Sequence, residues 1–438
     1  MAPPLHGPPV RVEHRHGAEP DAPTDRGGHG RREARAARRV TGPLEGLRVL
    51  DIGTRIAAPF CAGLLGEQGA EVIKIEQPGR GDFMREIGPF VPTDEGDLSL
   101  FWAVEGRGRQ SVTLDLRRPE GQDLFRRLAA TSDVVCENFR RGTLERWNIA
   151  PGDLDDRLVI VRISAFGQDG PYADRPGLDR LGIGYGGLLH LTGEPDRPPV
   201  RPGVTSSDYL TGVFAAQAAT AALYRRDAKG TGRGAVIDAC LYASVLRILE
   251  WTIAAYDRLG VVREREGNRL ATSAPLDNYP TADGRYVCLV AGSDANFACL
   301  CRAMGRSDLT EDPKFLTLSD RADHADEING IVAAWTTKMT AAEVERLAVE
   351  HDVPVATAYT AADIATDPHM AARGDLMSVV DPVAGAVLQQ GPAVRYVGEE
   401  RSVPTGAPRL GEHTREVLGE LLGIGDAELD RLAADRII

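Results

Sequence analysis

The chain has 438 residues, 42% of them apolar and 26% charged, and a formal net charge of -13. No apolar run approaches the ~18 residues of a membrane span, and the acidic balance argues against a general nucleic-acid surface, so the composition is that of an ordinary globular enzyme or binding protein, expected in the cytoplasm. The length exceeds one typical core, so two domains, or one large domain with a smaller one, are expected.

Residues 1–40 are dominated by Pro, Gly, His and Arg without apolar periodicity and read as a disordered leader. From residue 46 the pattern changes to a βαβ unit: "LRVLDIG", "PFCAGLLGEQG" and "AEVIKIE". A helix follows, starting at Pro119 in "PEGQDLFRRLAATS", where a missing N–H costs nothing. The strands "DVVCENF" and "RLVIVRISAFG" come next, and the alternation predicts a mostly parallel sheet covered by helices. The Ala-rich run at 208–226 reads as a long helix whose small side chains allow close packing, and "AVIDACLY" as a further strand. A second alternation begins at "DGRYVCLVAG" with helical runs "NFACLCRAMG" and "ADEINGIVAAWTTKM". The tail holds two helical segments with a Gly-Ile-Gly break.

Chemistry is sparse in the motifs. "GIGYGG" at 182–187 fits G-x-G-x-x-G, but no strand leads into it, so it is set aside as a dinucleotide fingerprint. The first βα turn, "DIGTRIAAPF", lacks that glycine triplet, leaving bare amides at a helix N-terminus for any phosphate. The six cysteines contain no C-x-x-C and are read as reduced structural thiols, with no metal site, and the scattered histidines give no Ser-His-Asp pattern. One carboxylate, Asp179, sits in the glycine-rich run "SAFGQDGPYADRPGLDRLGIGYGG". An unpaired carboxylate there can act as base or nucleophile, with glycine backbone approaching a substrate closely, or it can simply cap a turn.

Several long segments, among them "LEGLRVLDIG", "AAPFCAGLLGEQGAEVIKIEQPGRGD", "VVCENFRRGTLERW", "ISAFGQDGPYADRPGLD" and "LGEHTREVLGELLG", resemble the class III CoA-transferases, the formyl-CoA transferase and carnitine CoA-transferase group. The likeness runs from about residue 43 to the end. It implies that Asp179 is the nucleophile, taking the acyl group of a CoA thioester as a mixed anhydride and then the CoA itself as an aspartyl thioester. The implied CoA contacts are Arg55 and Ile56 after the first strand, Gln77 and Arg80 after "KIE", and Arg107 and Arg109 within "GRGRQS". Gln77, Gln110 and Ile183 depart from the residues common in the family.

The combined reading is an α/β protein with a Rossmann-like large domain of mostly parallel sheet (43–225 with 380–438), a linker over 226–274, and a smaller α/β domain over 275–375. The resemblance implies an interlocked homodimer. It also implies an acyl-CoA donor and a carboxylic acid acceptor, CoA thioester as substrate with no permanently bound cofactor, and neither nucleic acid nor membrane as partner. Two alternatives accompany it. An α-methylacyl-CoA racemase would use Asp208 as a second acid but needs a His where Leu178 stands, and an inactive acyl-CoA-binding homologue would fit the three departures.

Overall fold

In the computed structural model, which describes residues 42–399 and 402–438, the first strand already shows why both sheet faces are covered. Leu50 enters one apolar core and Val49 the other. β1 (Arg48–Asp51), α1 (Ala57–Glu67) and β2 (Glu71–Glu76) form the predicted βαβ unit, β1 and β2 pairing in parallel with Arg48 opposite Glu71 and Asp51 opposite Lys74. The leader expected over 1–40 lies outside the described residues.

The chain continues through β3 (Arg109–Thr113), α2 (Pro119–Ala129), β4 (Val134–Glu137), β5 (Val159–Ser164), α3 (Asp179–Tyr185), α4 (Ser206–Asp227) and β6 (Ala235–Cys240). These six strands form one parallel sheet in the order β3-β2-β1-β4-β5-β6. That is the strand order of the doubly wound nucleotide-binding folds, with a reversal between β1 and β4. Pro119 occupies the first turn of α2 as expected, and Leu124, Phe125 and Leu128 turn to the sheet. On the opposite face α1 and α4 lie close because their contacts are small: a Cβ on Gly212 would stand 2.8 Å from the Phe60 ring and 3.1 Å from the Ala57 carbonyl.

The strand expected at "AVIDACLY" lies inside the stretch 226–274 otherwise read as a linker; it forms β6, which extends the sheet from Ala235 opposite Val159 to Cys240 opposite Ser164. An edge strand needs only one neighbour, so its short apolar run suffices. The glycine-rich run after Leu178 makes α3, because tertiary packing outweighs the weak helix propensity of its glycines.

Beyond the large sheet, Leu276–Pro280, Tyr286–Val290 and Val355–Thr357 pair as a three-stranded antiparallel sheet, with Leu289, Leu300, Val332 and Val344 in a separate core. The tail helices Thr414–Leu422 and Asp426–Ala434 return to the large sheet and bury Val417, Leu418, Leu429 and Leu432 against the α2 face. Gly423, at φ 68°, supplies the break between them. No helix among the described residues is long and apolar enough to cross a membrane.

Candidate active site

Where the strand order reverses, the loops leaving β1 and β4 part and open a crevice at the carboxyl ends of the strands. Asn138 ties the two loops together: its Oδ1 accepts the Thr54 N–H at 2.8 Å and its Nδ2 donates to the Thr54 carbonyl at 2.7 Å. A cavity of about 800 Å³ opens here, lined by Arg55, Ile56, Asn138, Arg140, Leu178 and Asp208 among others. A second, of about 340 Å³, shares Thr54, Arg55 and Phe139 with it and extends to Gln77, Arg80 and Arg117. Four residues expected to meet CoA, Arg55, Ile56, Gln77 and Arg80, therefore lie along adjoining cavities.

The β1 loop is held by buried charges. Lys74 Nζ donates to the Gly53 carbonyl at 2.6 Å and lies 2.9 Å from Asp82 Oδ2 and 3.3 Å from Asp51 Oδ2. Asp51 Oδ1 accepts the Gly53 N–H at 3.1 Å, and Asp82 Oδ1 accepts the Arg55 N–H at 3.1 Å. Burial opposes both charges, yet the pairing wins: it raises the pKa of Lys74 and lowers that of Asp82. The reward is a left-handed backbone at Arg55, φ 65°, which a non-glycine residue seldom adopts. Its guanidinium then lies 4.1 Å from the centre of the Phe83 ring.

Arg107 and Arg109 are not brought together with the other four. Arg109 is buried, donates to the Pro59 carbonyl and stands 3.7 Å from Asp51. Arg107 pairs with Glu67 at 3.0 Å and with Gln389 Oε1 at 3.2 Å. Both line a different cavity, of about 410 Å³, with Glu105 and Tyr209. Both charges are thus answered by protein groups, Glu67 and Asp51. Ile183, a departure from the family pattern, is fully buried in the core.

Asp179 is the first residue of α3 and is 6% exposed, between Leu178 and the start of α4. Its Oδ1 accepts from the Ser207 N–H and the Ser207 hydroxyl, both at 2.9 Å, with the Asp208 N–H at 3.4 Å. Among the described residues nothing donates to Oδ2 and no cation pairs with the carboxylate. The turn-capping alternative does not describe it, since its partners come from another helix 28 residues on. The nearby glycines also serve packing: a Cβ on Gly177, which lines the larger cavity, would stand 2.2 Å from that of Ala165, and one on Gly182 would stand 2.7 Å from that of Leu241. Asp208 lines the larger cavity, and its carboxyl is pushed up to about 7 by burial and by the charge of Asp179, against the pull of Arg55.

Ser207, Asn138, Phe139, Arg140, Lys74 and Asp82 escaped the reading of the sequence. The pair at 138–139 had a signal, since "ENF" ends the strand next to β1, where a doubly wound sheet binds its ligand. Ser207 had none.

A family model described as CoA-transferase family III matches residues 44–414. The succinyl-CoA–D-citramalate CoA-transferase of Chloroflexus aurantiacus is 41% identical over 406 residues, which cover 92% of this chain and 100% of the relative. The succinyl-CoA:glutarate CoA-transferase of Mus musculus is 32% identical over 404 residues, 90% of each chain. Among solved structures, a CAIB/BAIF family protein from Brucella suis superposes with a TM-score of 0.78 at 32% identity, covering 87% of this chain and 99% of that one.

Proposed function

The chain belongs to CoA-transferase family III and is a CoA-transferase, and from that premise we propose that it exchanges CoA between two dicarboxylic acids through covalent intermediates on Asp179. The observation that carries this reading is the asymmetry of that carboxylate, whose Oδ1 is anchored by α4 while Oδ2 has no donor among the described residues. A carboxylate so arranged has one oxygen free to attack.

Oδ2 adds to the donor's thioester carbon, the C–S bond breaks, and CoA thiolate leaves behind a mixed anhydride. The thiolate then attacks Cγ of Asp179, and the Cγ–Oδ2 bond breaks to release the donor acid as its carboxylate. An oxygen of the acceptor carboxylate displaces the thiolate from Cγ, giving a second anhydride. The thiolate finally attacks the acceptor's acyl carbon, frees Asp179 and forms the new thioester. No proton is gained or lost overall, and water must be excluded lest the anhydrides hydrolyse. Asn138 and Asp82 fix the two loops between which the thioester would lie, with Arg55, Ile56, Gln77 and Arg80 against the CoA moiety.

The acids are taken to be dicarboxylic for two reasons. The relatives' names pair succinyl-CoA with citramalate or glutarate, and the larger cavity carries Arg140, Arg141, Arg146 and Arg175. A substrate left with a free carboxylate after thioester formation suits such a lining. CoA enters as substrate rather than as a resident cofactor. A homodimer, supported by the exposed Ile253, Tyr256 and Leu259, and a cytoplasmic location are part of the same proposal, as are a large domain over 43–225 with 380–438, to which β6 adds an edge strand, and a smaller one over 275–375.

The test is to incubate the protein with succinyl-CoA, quench with hydroxylamine and sequence the peptide containing Asp179 by mass spectrometry. A hydroxamate at Asp179, absent from a control without donor, is the expected result. An active enzyme with that peptide unmodified overturns the reading.

A further inference from the structure

We infer that Ser207, through its hydroxyl and backbone N–H, forms with the Asp208 N–H the oxyanion site for the tetrahedral intermediates at Cγ of Asp179. The inference rests on the reading of Asp179 as nucleophile and adds a residue to its chemistry.

The donors are on the wrong oxygen to assist the first attack. In the resting carboxylate they favour charge on Oδ1, and that oxygen becomes a neutral carbonyl when the anhydride forms. They act at the next two steps. When CoA thiolate adds to Cγ, and again when the acceptor carboxylate does, the electron pair of the C=O bond moves onto Oδ1. The two Ser207 donors already stand 2.9 Å from it, at oxyanion-hole distance. The hydroxyl also lies 3.0 Å from the main-chain carbonyl of Asp179, so a single proton has two acceptors and turns to whichever carries more charge. α4 adds its first-turn dipole in the favourable sense. Ser207 is itself fully buried, so water does not compete for that proton.

This arrangement makes a prediction about the oxygen atoms. Oδ2 is lost with each donor acid and replaced by an oxygen of each acceptor, whereas Oδ1 stays in its cradle through every turnover. Wild-type enzyme cycled with succinyl-CoA and acceptor acid labelled with heavy oxygen in its carboxylates should take up one labelled atom at Asp179 and stop there. Uptake of two shows that the carboxylate rotates freely and overturns the inference. Absence of any label in a turning-over enzyme instead removes Asp179 as the nucleophile, a separate failure.

The variant Ser207→Ala should lose about 100-fold in kcat, with KM for the acyl-CoA unchanged and the trapped enzyme shifted from aspartyl thioester towards mixed anhydride. It should also admit the second labelled oxygen. A Ser207 that merely ties α3 to α4 predicts a lower melting temperature with kcat and the trapped species of the folded fraction unchanged, and that result also overturns the inference.

Discussion

Asp82 joins the β1 loop to the core: its Oδ1 accepts the Arg55 N–H at 3.1 Å while its Oδ2 lies 2.9 Å from Lys74 Nζ. One carboxylate thus holds a backbone conformation at the cavity and neutralises a buried ammonium. Asp82→Ala leaves Lys74 with half its compensation, and unfolding free energy should fall by roughly 3–5 kcal/mol. KM for the CoA ester should rise because Arg55 is released from its left-handed backbone. Asp82→Asn keeps an oxygen for the Arg55 N–H and should retain near wild-type KM with an intermediate loss of stability. Thermal unfolding and donor KM, measured on the same preparations, separate the two effects.

Asp208 predicts a pH dependence. Burial, then the neighbouring charge of Asp179, hold its carboxyl at about 7 in the folded chain, against about 3.9 for an ordinary Asp. The unfolded chain therefore releases this proton first as pH rises. The stability associated with the neutral form is fully present below about pH 4 and is lost as pH climbs through about 7. Asp208→Asn should abolish that loss and gain on the order of 1–3 kcal/mol over wild type at about pH 8.5, a figure reduced for partial solvent screening. In the active enzyme, ionisation places a second negative charge beside Asp179, so kcat/KM should decline above about pH 7 and the decline should vanish in the variant. Urea titrations and pH–rate profiles of both proteins check the sign.

Arg140 lines the larger cavity and makes no ion pair among the described residues, whereas Arg141 is engaged with Asp174 at 3.1 Å. If it takes the free carboxylate of a dicarboxylic substrate, Arg140→Gln removes a charge-assisted hydrogen bond worth about 1.5–3 kcal/mol. Catalytic efficiency with succinyl-CoA should drop about 10- to 100-fold, with butyryl-CoA, which lacks that carboxylate, little changed. An equal drop with both thioesters would assign Arg140 to CoA instead.

Gly182 packs α3 onto α4, where an added Cβ would lie 2.8 Å from Ser207 Oγ and 2.7 Å from Leu241 Cβ. Gly182→Ala should cost about 1–3 kcal/mol through overpacking and reduce kcat by displacing Ser207. Gly184→Ala, whose Cβ would meet only Leu189 at 3.8 Å, is the control and should leave stability within about 0.5 kcal/mol of wild type or improve it.

Much of the scaffold was legible because it is periodic. Short β-branched runs alternating with helical ones gave the βαβ unit and the parallel sheet, and Pro119 marked the start of α2. Departures arose where a local signal was weak or misleading. Glycines that looked only like room for a ligand also make room for neighbouring side chains, and α3 forms in spite of them because Leu241, Val245 and Ser207 press against its small face. The family likeness implies CoA contacts at Arg107 and Arg109, but a charged side chain announces no protein partner in sequence. Asp51 and Glu67, which answer them, come from the β1 strand and from α1.

By itself, then, the amino-acid order determined the alternation of elements, the family likeness and the position of Asp179. Tertiary structure alone decided that Ser207, 28 residues away, would hold one oxygen of that carboxylate and leave the other without a donor among the described residues. It also decided which carboxylates answer which arginines, as Glu67 answers Arg107 and Asp174 answers Arg141. The reason is physical: burial patterns repeat along the chain at the period of a helix or strand, so they can be read from neighbours. Charge pairing and hydrogen bonding depend instead on distances between segments, which exist only after the sheet has set its register.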